Sequence, residues 1–181
     1  MTSYAAFFRN LNLGRPNCPT RSQFEAAFID AGAASAQSFL VNGTMVFSAG
    51  SDPKARKLLA AACRGLRTDC GLIEPAFLRR VDTLADMVAV DPFTGVDRDS
   101  VYDCCVTFLQ AADALLPPDL PRRSTRGDVE VIGDRPGAVY SIVRKIGNTP
   151  GSPNAVLERA LGQPATTRTW NTVVRLIAKH A

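Results

Sequence analysis

The sequence predicts an α+β protein made of two halves of similar size. Segments with strand-like and helix-like patterns follow the order β-α-β-β-α-β over the first 94 residues, and a similar order starts again after a linker at residues 91–95. The composition is that of a globular protein, with 46% hydrophobic and 21% charged residues. A chain of 181 residues with this composition is long enough to bury a substantial core.

The first half opens with an apolar segment at residues 4–8, which predicts a buried strand. A polar loop follows at residues 9–17. Thr20 then precedes a helix, and Gln23 stands three residues later, which is the spacing of a capping box. Apolar residues at helical spacing continue to Gly32, a residue suited to the end of a helix.

Two short strands are predicted next, at residues 39–41 and 44–47. Asn42 and Gly43 lie between them, and this pair is typical of a two-residue type I′ turn because both residues accept positive φ angles. The pair predicts a tight β-hairpin.

The rest of the first half completes a ferredoxin-like order. A second helix is predicted to begin at residues 52–53, where a proline fits because the first helical turn needs no donor from it. A strand at residues 73–78 and a short helical turn at residues 83–88 follow. The resulting order β-α-β-β-α-β is that of ferredoxin-like domains.

The second half is predicted to repeat this architecture with different residues. In chain order its elements are a strand at 101–109, a helix at 110–116, strands at 128–132 and 138–144, a helix from 152 to 162, and a last helix that carries Trp170. We therefore predict two ferredoxin-like domains, residues 1–94 and 95–181, related by a structural duplication without a visible sequence repeat.

The composition argues against metal sites and common catalytic motifs. The only histidine is His180, and the five cysteines form no CxxC pair, so we expect no metal, no cofactor and no disulfide. GxxxxGK[ST] and GxGxxG motifs are absent. No apolar run approaches the ~20 residues of a membrane helix, and the first residues lack the features of a signal peptide. We expect a cytoplasmic protein with no membrane partner.

The first candidate binding segment is the polar loop after the first strand. This loop is rich in residues that donate hydrogen bonds or form tight turns. They are Arg9, Asn10, Asn12, Gly14, Arg15 and Asn17. A loop that leads from a strand into a helix presents backbone donors, and the helix dipole favours an anion there. The alternative is that asparagine and glycine serve turn geometry while the arginines are solvated.

The second candidate segment precedes the last helix and contains Arg168, Trp170 and Asn171. Arginine and asparagine donors beside an aromatic ring suit an anionic or nucleobase ligand. We expect this segment and the first loop to line one shared cleft. The alternative is that the hydroxyl residues before the helix cap it while Trp170 belongs to the core.

Three classes of function remain compatible with the sequence. The leading expectation is a binding module for a small anionic ligand or nucleic acid. A net charge of +4 is too small to require nucleic-acid binding. The first alternative is an enzyme of unrecognised type with a cleft between the halves. The second is a protein-interaction unit, including a homodimer.

Three segments also resemble a bacterial family known as domain-of-unknown-function family sixteen-ninety-seven. The segment YAAFFRNLNLGRPN at residues 4–17 is similar to the family's YxAFLRGINVGG, and FLVNGTMVF at 39–47 is similar to YxQSGNVVF. The segment VLERALGQPATTRTWNTV at 156–173 is nearly identical to LLERALGxPATTRNWNTV. The resemblance implies two ferredoxin-like halves and brings no agreed reaction, substrate or catalytic residue.

The chain also departs from the family's pattern. Asn10 and Arg15 stand where relatives carry glycines, and the turn at residues 41–44 differs from the family's Gln-Ser-Gly-Asn. A basic Arg-Ser-Lys stretch before the penultimate helix is replaced by residues 149–151, Thr-Pro-Gly. An activity that depended on either segment in relatives is expected to be altered here.

Overall fold

The computed structural model describes the whole chain, Met1–Ala181, and confirms the α+β fold with two four-stranded antiparallel sheets. The chain divides into two compact units, which we call unit 1 (Met1–Ala85 with Lys179–Ala181) and unit 2 (Asp86–Ala178). The division falls inside a helix, whereas the sequence places the boundary between residues 94 and 95.

Unit 1 contains four strands and two complete helices. They are β1 (Thr2–Phe8), α1 (Arg21–Asp30), β2 (Ala36–Phe39), β3 (Thr44–Ala49), α2 (Asp52–Cys70) and β4 (Ala76–Arg80), after which α3 (Val81–Val90) crosses the division. The strands are ordered β2-β3-β1-β4, with every neighbouring pair antiparallel. This is the ferredoxin-like order.

The core of unit 1 lies between this sheet and its two helices. Alternate residues of β1 point toward the helices, and Phe8 packs edge-on against Phe24 of α1, with ring centroids 5.0 Å apart. Phe28 of α1 reaches Phe47 of β3 at 5.1 Å. The predicted capping box is present at the start of α1. The Gln23 amide donates to the Thr20 hydroxyl, and the Thr20 amide donates to Gln23 Oε1.

The predicted two-residue turn at Asn42 and Gly43 is wrong. A four-residue loop joins β2 to β3, and its positive φ angles are at Leu40 (58°) and Gly43 (66°). The reason is tertiary. The Phe8 amide donates to the Gly43 carbonyl at 2.8 Å, and the amide of Leu13 donates to the loop at 2.8 Å, so the loop is held by β1 and the segment after it.

The fourth strand also differs from its prediction at residues 73–78. The ladder to β1 begins at Ala76 and runs to Arg80. Pro75 has no amide hydrogen to donate, although its carbonyl accepts the Arg9 amide at 3.0 Å. The strand is therefore shifted toward its C-terminal end.

Unit 2 contains four strands and a helix between the third and fourth. The elements are β5 (Val101–Phe108), β6 (Val129–Arg135), β7 (Ala138–Arg144), α4 (Pro153–Leu161), β8 (Thr166–Thr169) and α5 (Trp170–His180), whose last residues the division assigns to unit 1. A 3₁₀ turn at Arg98–Ser100 precedes β5. The strand order is β6-β7-β5-β8, so β5 to β8 occupy the places of β1 to β4.

The predicted helix at residues 110–116 is absent, and a long loop of turns joins β5 to β6 instead. Prolines at 117 and 118 limit any helix there to about two turns, which is too short to be stable alone. The loop backbone instead pairs with the β6–β7 turn, where the Gly137 amide donates to the Ala114 carbonyl at 2.7 Å.

Both units thus share one strand order, and α2 and α4 are equivalent helices that join the third strand to the fourth. Both helices begin after a serine cap, Ser51 and Ser152, with a proline in the first turn. No helix of the protein combines the length and apolar character that crossing a membrane requires. All five cysteines are free thiols.

Candidate functional site

Arg9 is the first of the predicted binding residues, and it is anchored to its own unit. Its Nη1 atom donates to Glu74 Oε2 at 2.9 Å, and both side chains are about three-quarters buried. Its backbone amide donates to the Pro75 carbonyl. These contacts attach the end of β1 to the segment before β4.

The other predicted binding residues of this loop are exposed, and several have left-handed backbone angles. Positive φ angles occur at Asn10 (51°), Gly14 (78°) and Asn17 (61°). These geometries suit asparagine and glycine. Asn12 and Arg15 are exposed as well, and the Arg15 amide donates to the Asn12 carbonyl at 3.4 Å.

In the second predicted segment, Arg168 is a buried residue of β8. Its Nη1 atom donates to Thr166 Oγ1 and to the Thr167 carbonyl, both at 2.9 Å. Burial lowers the pKa of Arg168 to about 10. The side chain is thus enclosed by the protein, with only 8% of its residue surface exposed.

Trp170 and Asn171 occupy different environments at the start of α5. Trp170 is 3% exposed, and its ring packs against Phe93 at 5.3 Å and Tyr140 at 6.1 Å in the core of unit 2. Asn171 is exposed. The Thr169 hydroxyl accepts the amide of Thr172 at 3.4 Å, as expected of a cap. The shared cleft with the β1–α1 loop stays a prediction.

Unit 2 also contains a basic cavity of about 480 Å³ that the sequence did not suggest. We call it the α4 pocket. Residues in the range 121–128, before β6, form one wall, and residues in the range 150–160, at the start of α4, form the other. The cavity lies entirely within unit 2, so the fold of that unit alone determines its shape.

Three arginines line the α4 pocket, namely Arg123, Arg126 and Arg159. Arg123 pairs with Glu130 at 3.1 Å, and Arg126 Nε lies 3.4 Å from Asp128. Arg159 is exposed on α4 and forms no ion pair. It therefore has all of its donors available.

The charges around the pocket do not cancel. Glu130 pairs with both Arg123 and Arg144. Its Oε2 atom lies 3.1 Å from Arg123 Nη2 and 2.6 Å from Arg144 Nη2. Arg144 and Glu130 do not line the pocket and add no net charge, so the three lining arginines against Asp128 leave two positive charges. The start of α4 adds the positive end of a helix dipole, and its first turn contains no acidic residue that would offset it.

A short turn holds Arg126 at the pocket wall. The Gly127 amide donates to the Ser124 carbonyl at 2.8 Å, and Gly127 takes a positive φ of 72° that a glycine adopts without strain. The Ser124 hydroxyl donates to Asp128 Oδ1 at 2.6 Å and accepts the Val129 amide at 3.0 Å. These bonds tie the residues on both sides of Arg126 to each other.

Asp128 is the carboxylate of the pocket, and it stays ionised at neutral pH. The hydrogen bond from Ser124 and the nearby Arg126 guanidinium hold its pKa below the usual range. A carboxylate with a lowered pKa is a weak general base, so the Ser124–Asp128 pair does not make Ser124 a strong nucleophile. The pair orders the loop and supplies a fixed negative acceptor.

Gly151 permits the two walls to meet. A Cβ atom at this position would lie 2.7 Å from Val129 Cγ2 and 2.8 Å from the carboxyl carbon of Asp128. Any side chain here would force Val129, Asp128 or the backbone of Gly151 to shift. Close packing requires the glycine here. The backbone angle does not, because the φ of Gly151 is not in the left-handed region.

Unit 1 has a cavity of about 530 Å³ beside the equivalent helix, α2. Its basic residues are Lys54 and Lys57, and most of its other lining residues are small and apolar. Arginine binds carboxylate and phosphate groups with two parallel hydrogen bonds, which lysine cannot do. The α4 pocket is therefore the stronger candidate for an anion site.

Sequence reasoning missed the α4 pocket because its parts are far apart in the chain. Arg123 and Arg126 follow a proline-rich stretch and resemble a solvated loop, and Arg159 lies more than thirty residues later. The available signals were the serine cap of α4 and Gly151 just before it. Neither indicates which loop faces the helix.

Comparisons with known proteins identify the family and the fold. The model of a family described as "Protein of unknown function (DUF1697)" matches residues 1–131. The solved structure of conserved bacterial protein SP0830 from Streptococcus pneumoniae is similar over 99% of this chain and 98% of that one. Its TM-score is 0.66 at 14% identity, a likeness that shows the fold alone. No curated protein matches the chain.

Proposed function

The chain belongs to the DUF1697 family of proteins of unknown function, and we propose that it is a binding module for a small anionic ligand. The observation that carries the proposal is the α4 pocket, where three arginines and the start of a helix surround one cavity. Two uncompensated positive charges at the wall of a cavity favour an anion inside it. Arg159 is the side chain most available to bind that anion.

The proposal favours a small ligand over nucleic acid because of the shape of the site. Nucleic-acid interfaces usually bury at least ~600 Å² of protein surface and neutralise several phosphates along a strand. The α4 pocket instead gathers its arginines around one cavity of about 480 Å³, a size typical of small-molecule sites. A modest net charge of +4 agrees with this preference.

The proposal also favours binding over catalysis. The polar cluster of the pocket, Ser124 with Asp128, has an acceptor whose pKa is lowered, whereas a general base that works near neutral pH needs a raised one. The three arginines bind and orient an anion without accepting a proton.

Isothermal titration calorimetry of the full chain with inorganic phosphate tests this proposal. We expect saturable binding by the wild type and a loss of about tenfold in affinity for Arg159→Gln, because one charge-assisted hydrogen bond is worth about 1.5 kcal/mol or more. Arg175→Gln is the matched control. Arg175 is also exposed, also on a helix and also in unit 2, but it lies outside the pocket.

The two variants remove the same charge, so a non-specific electrostatic effect would weaken both equally. We expect Arg175→Gln to bind as the wild type does. Equal losses in the two variants, or heats that never saturate with the wild type, would contradict the proposed function.

A further inference from the structure

The α4 pocket is too large for an inorganic anion alone. A phosphate group placed between Arg126 and Arg159 would occupy a minor part of a cavity of about 480 Å³. Cavities of this size usually hold organic molecules and bury most of their surface. A ligand that fills the pocket therefore has a sizeable part besides its anionic group.

The remaining walls of the pocket are mostly apolar. Pro121 and Pro150 line it from the two loops, and Val156 and Ala160 contribute from α4. A fully hydrated ion gains nothing from such walls, whereas a flat organic ring buries apolar surface against them. Arginine side chains stack on such rings in addition to binding anions.

The charge of the site matches a phosphate monoester. The three lining arginines and Asp128 leave two positive charges around the cavity, as described above. A phosphate monoester carries about −1.5 to −2 charges at pH 7. A singly charged carboxylate would leave the site less completely neutralised.

Asp128 adds a requirement of the opposite kind. It is 4% exposed and lines the same cavity as an ionised carboxylate. A carboxylate repels a phosphate placed beside it but accepts hydrogen bonds from hydroxyl or amino groups. The ligand thus presents donors toward Asp128 and its phosphate toward the arginines.

From these four features we infer that the α4 pocket binds a nucleoside monophosphate, with the phosphate on the arginines, sugar hydroxyls toward Asp128 and the base against the apolar walls. This inference rests on the proposed function, because it names the class of anion that the same pocket takes. It requires no covalent step.

Calorimetry of the full chain with a graded set of ligands tests the inference. The set comprises inorganic phosphate, ribose 5-phosphate, adenosine, and the 5′-monophosphates of adenosine, guanosine, cytidine and uridine. We expect at least one of the four nucleotides to bind at least about tenfold more tightly than inorganic phosphate, a gain of ~1.4 kcal/mol. The matching nucleoside and ribose 5-phosphate should both bind more weakly than that nucleotide.

Asp128→Asn and a deoxy ligand test the orientation. The variant should bind the nucleotide more weakly, because an acceptor for the sugar hydroxyls is lost. It should bind inorganic phosphate as tightly as the wild type or more tightly, because a repelling charge is removed. The 2′-deoxy form of the best nucleotide should also bind wild-type protein more weakly, a result that does not depend on whether the variant folds. Equal affinity of both forms for the wild type overturns the assigned contact between Asp128 and the sugar.

The outcomes separate this inference from the proposed function. In one outcome, Arg159→Gln weakens phosphate binding but no nucleotide binds more tightly than phosphate. That result overturns the ligand class and leaves the anion site in place. Equal affinity of ribose 5-phosphate and the best nucleotide also overturns it, because the base then contributes nothing. Absence of saturable binding by every anion overturns both.

Discussion

Substitution of Gly151 by alanine probes the contact between the two walls of the α4 pocket. The new Cβ atom would lie 2.7 Å from Val129 Cγ2, about 1 Å closer than carbon atoms pack at their optimum. Overpacking of this kind costs roughly 1–3 kcal/mol. Alanine also restricts the unfolded chain, which offsets the cost by about 0.4–1 kcal/mol. We expect a net loss of about 1–2 kcal/mol.

Urea unfolding followed by tryptophan fluorescence measures this loss in the appropriate unit. Trp170 is the only tryptophan, and it is buried in the core of unit 2. A loss of that size lowers the unfolding midpoint by roughly 0.5–1 M urea for a typical slope. The substitution also moves the wall that carries Arg126 away from the wall that carries Arg159, so phosphate binding should weaken together with stability.

Gly133→Ala is the matched control for this substitution. Gly133 lies in β6 of the same unit, its φ is not left-handed, and an added Cβ would meet Tyr140 only at an ordinary 3.9 Å. We expect its stability to be unchanged or raised by up to about 1 kcal/mol. An unchanged or raised midpoint for Gly151→Ala would refute the close-packing argument, as would an equal loss in both variants.

Three further predictions concern the cap, the carboxylate and the thiols. Thr20→Ala should cost about 1 kcal/mol in urea unfolding followed by circular dichroism, because it removes the α1 capping box; an unchanged midpoint would contradict this. Because the pKa of Asp128 is lowered, its ionised form stabilises the fold at every pH above 3.8, the ordinary pKa of an aspartate. This stabilisation disappears as the pH falls through the lowered pKa. The stability difference between wild type and Asp128→Asn should therefore stay constant from about pH 5 to 8 and shrink below about pH 4; a difference that grows there would show the opposite shift. Burial raises the pKa of Cys105 to about 12 and of Cys63 to about 11. A thiol reagent at pH 8 should therefore modify these two cysteines slowly in the native protein, whereas all five cysteines should react quickly after denaturation. Fast reaction of all five thiols in the native protein would contradict the burial.

Local signals in the sequence predict the caps and the element order. The Thr20 capping box, the glycine at the end of α4 and most of the strands follow from neighbouring residues alone. The turn at Asn42 and Gly43 failed because the end of β1 and the segment after it hold that loop. The helix at 110–116 failed because the β6–β7 turn engages the backbone of that segment.

The binding pocket was harder to predict because it depends on distant residues. The loop at Arg9–Asn17 was singled out for its composition, and its asparagines and glycine do have turn geometry. The α4 pocket combines residues more than thirty positions apart, which only the pairing of β6 with β7 and the placement of α4 bring together. Residue types alone could not indicate that Arg126 and Arg159 share a cavity.

The central claim is that the α4 pocket binds anions, and amide chemical shifts test it most directly. In a titration of ¹⁵N-labelled full-length protein with inorganic phosphate, the amides of Thr125, Arg126 and Ser152 should shift and saturate together. The amides of Arg15 and Asn17 in the β1–α1 loop should stay in place. Saturable shifts confined to that loop, with the amides around the α4 pocket unmoved, would contradict the account.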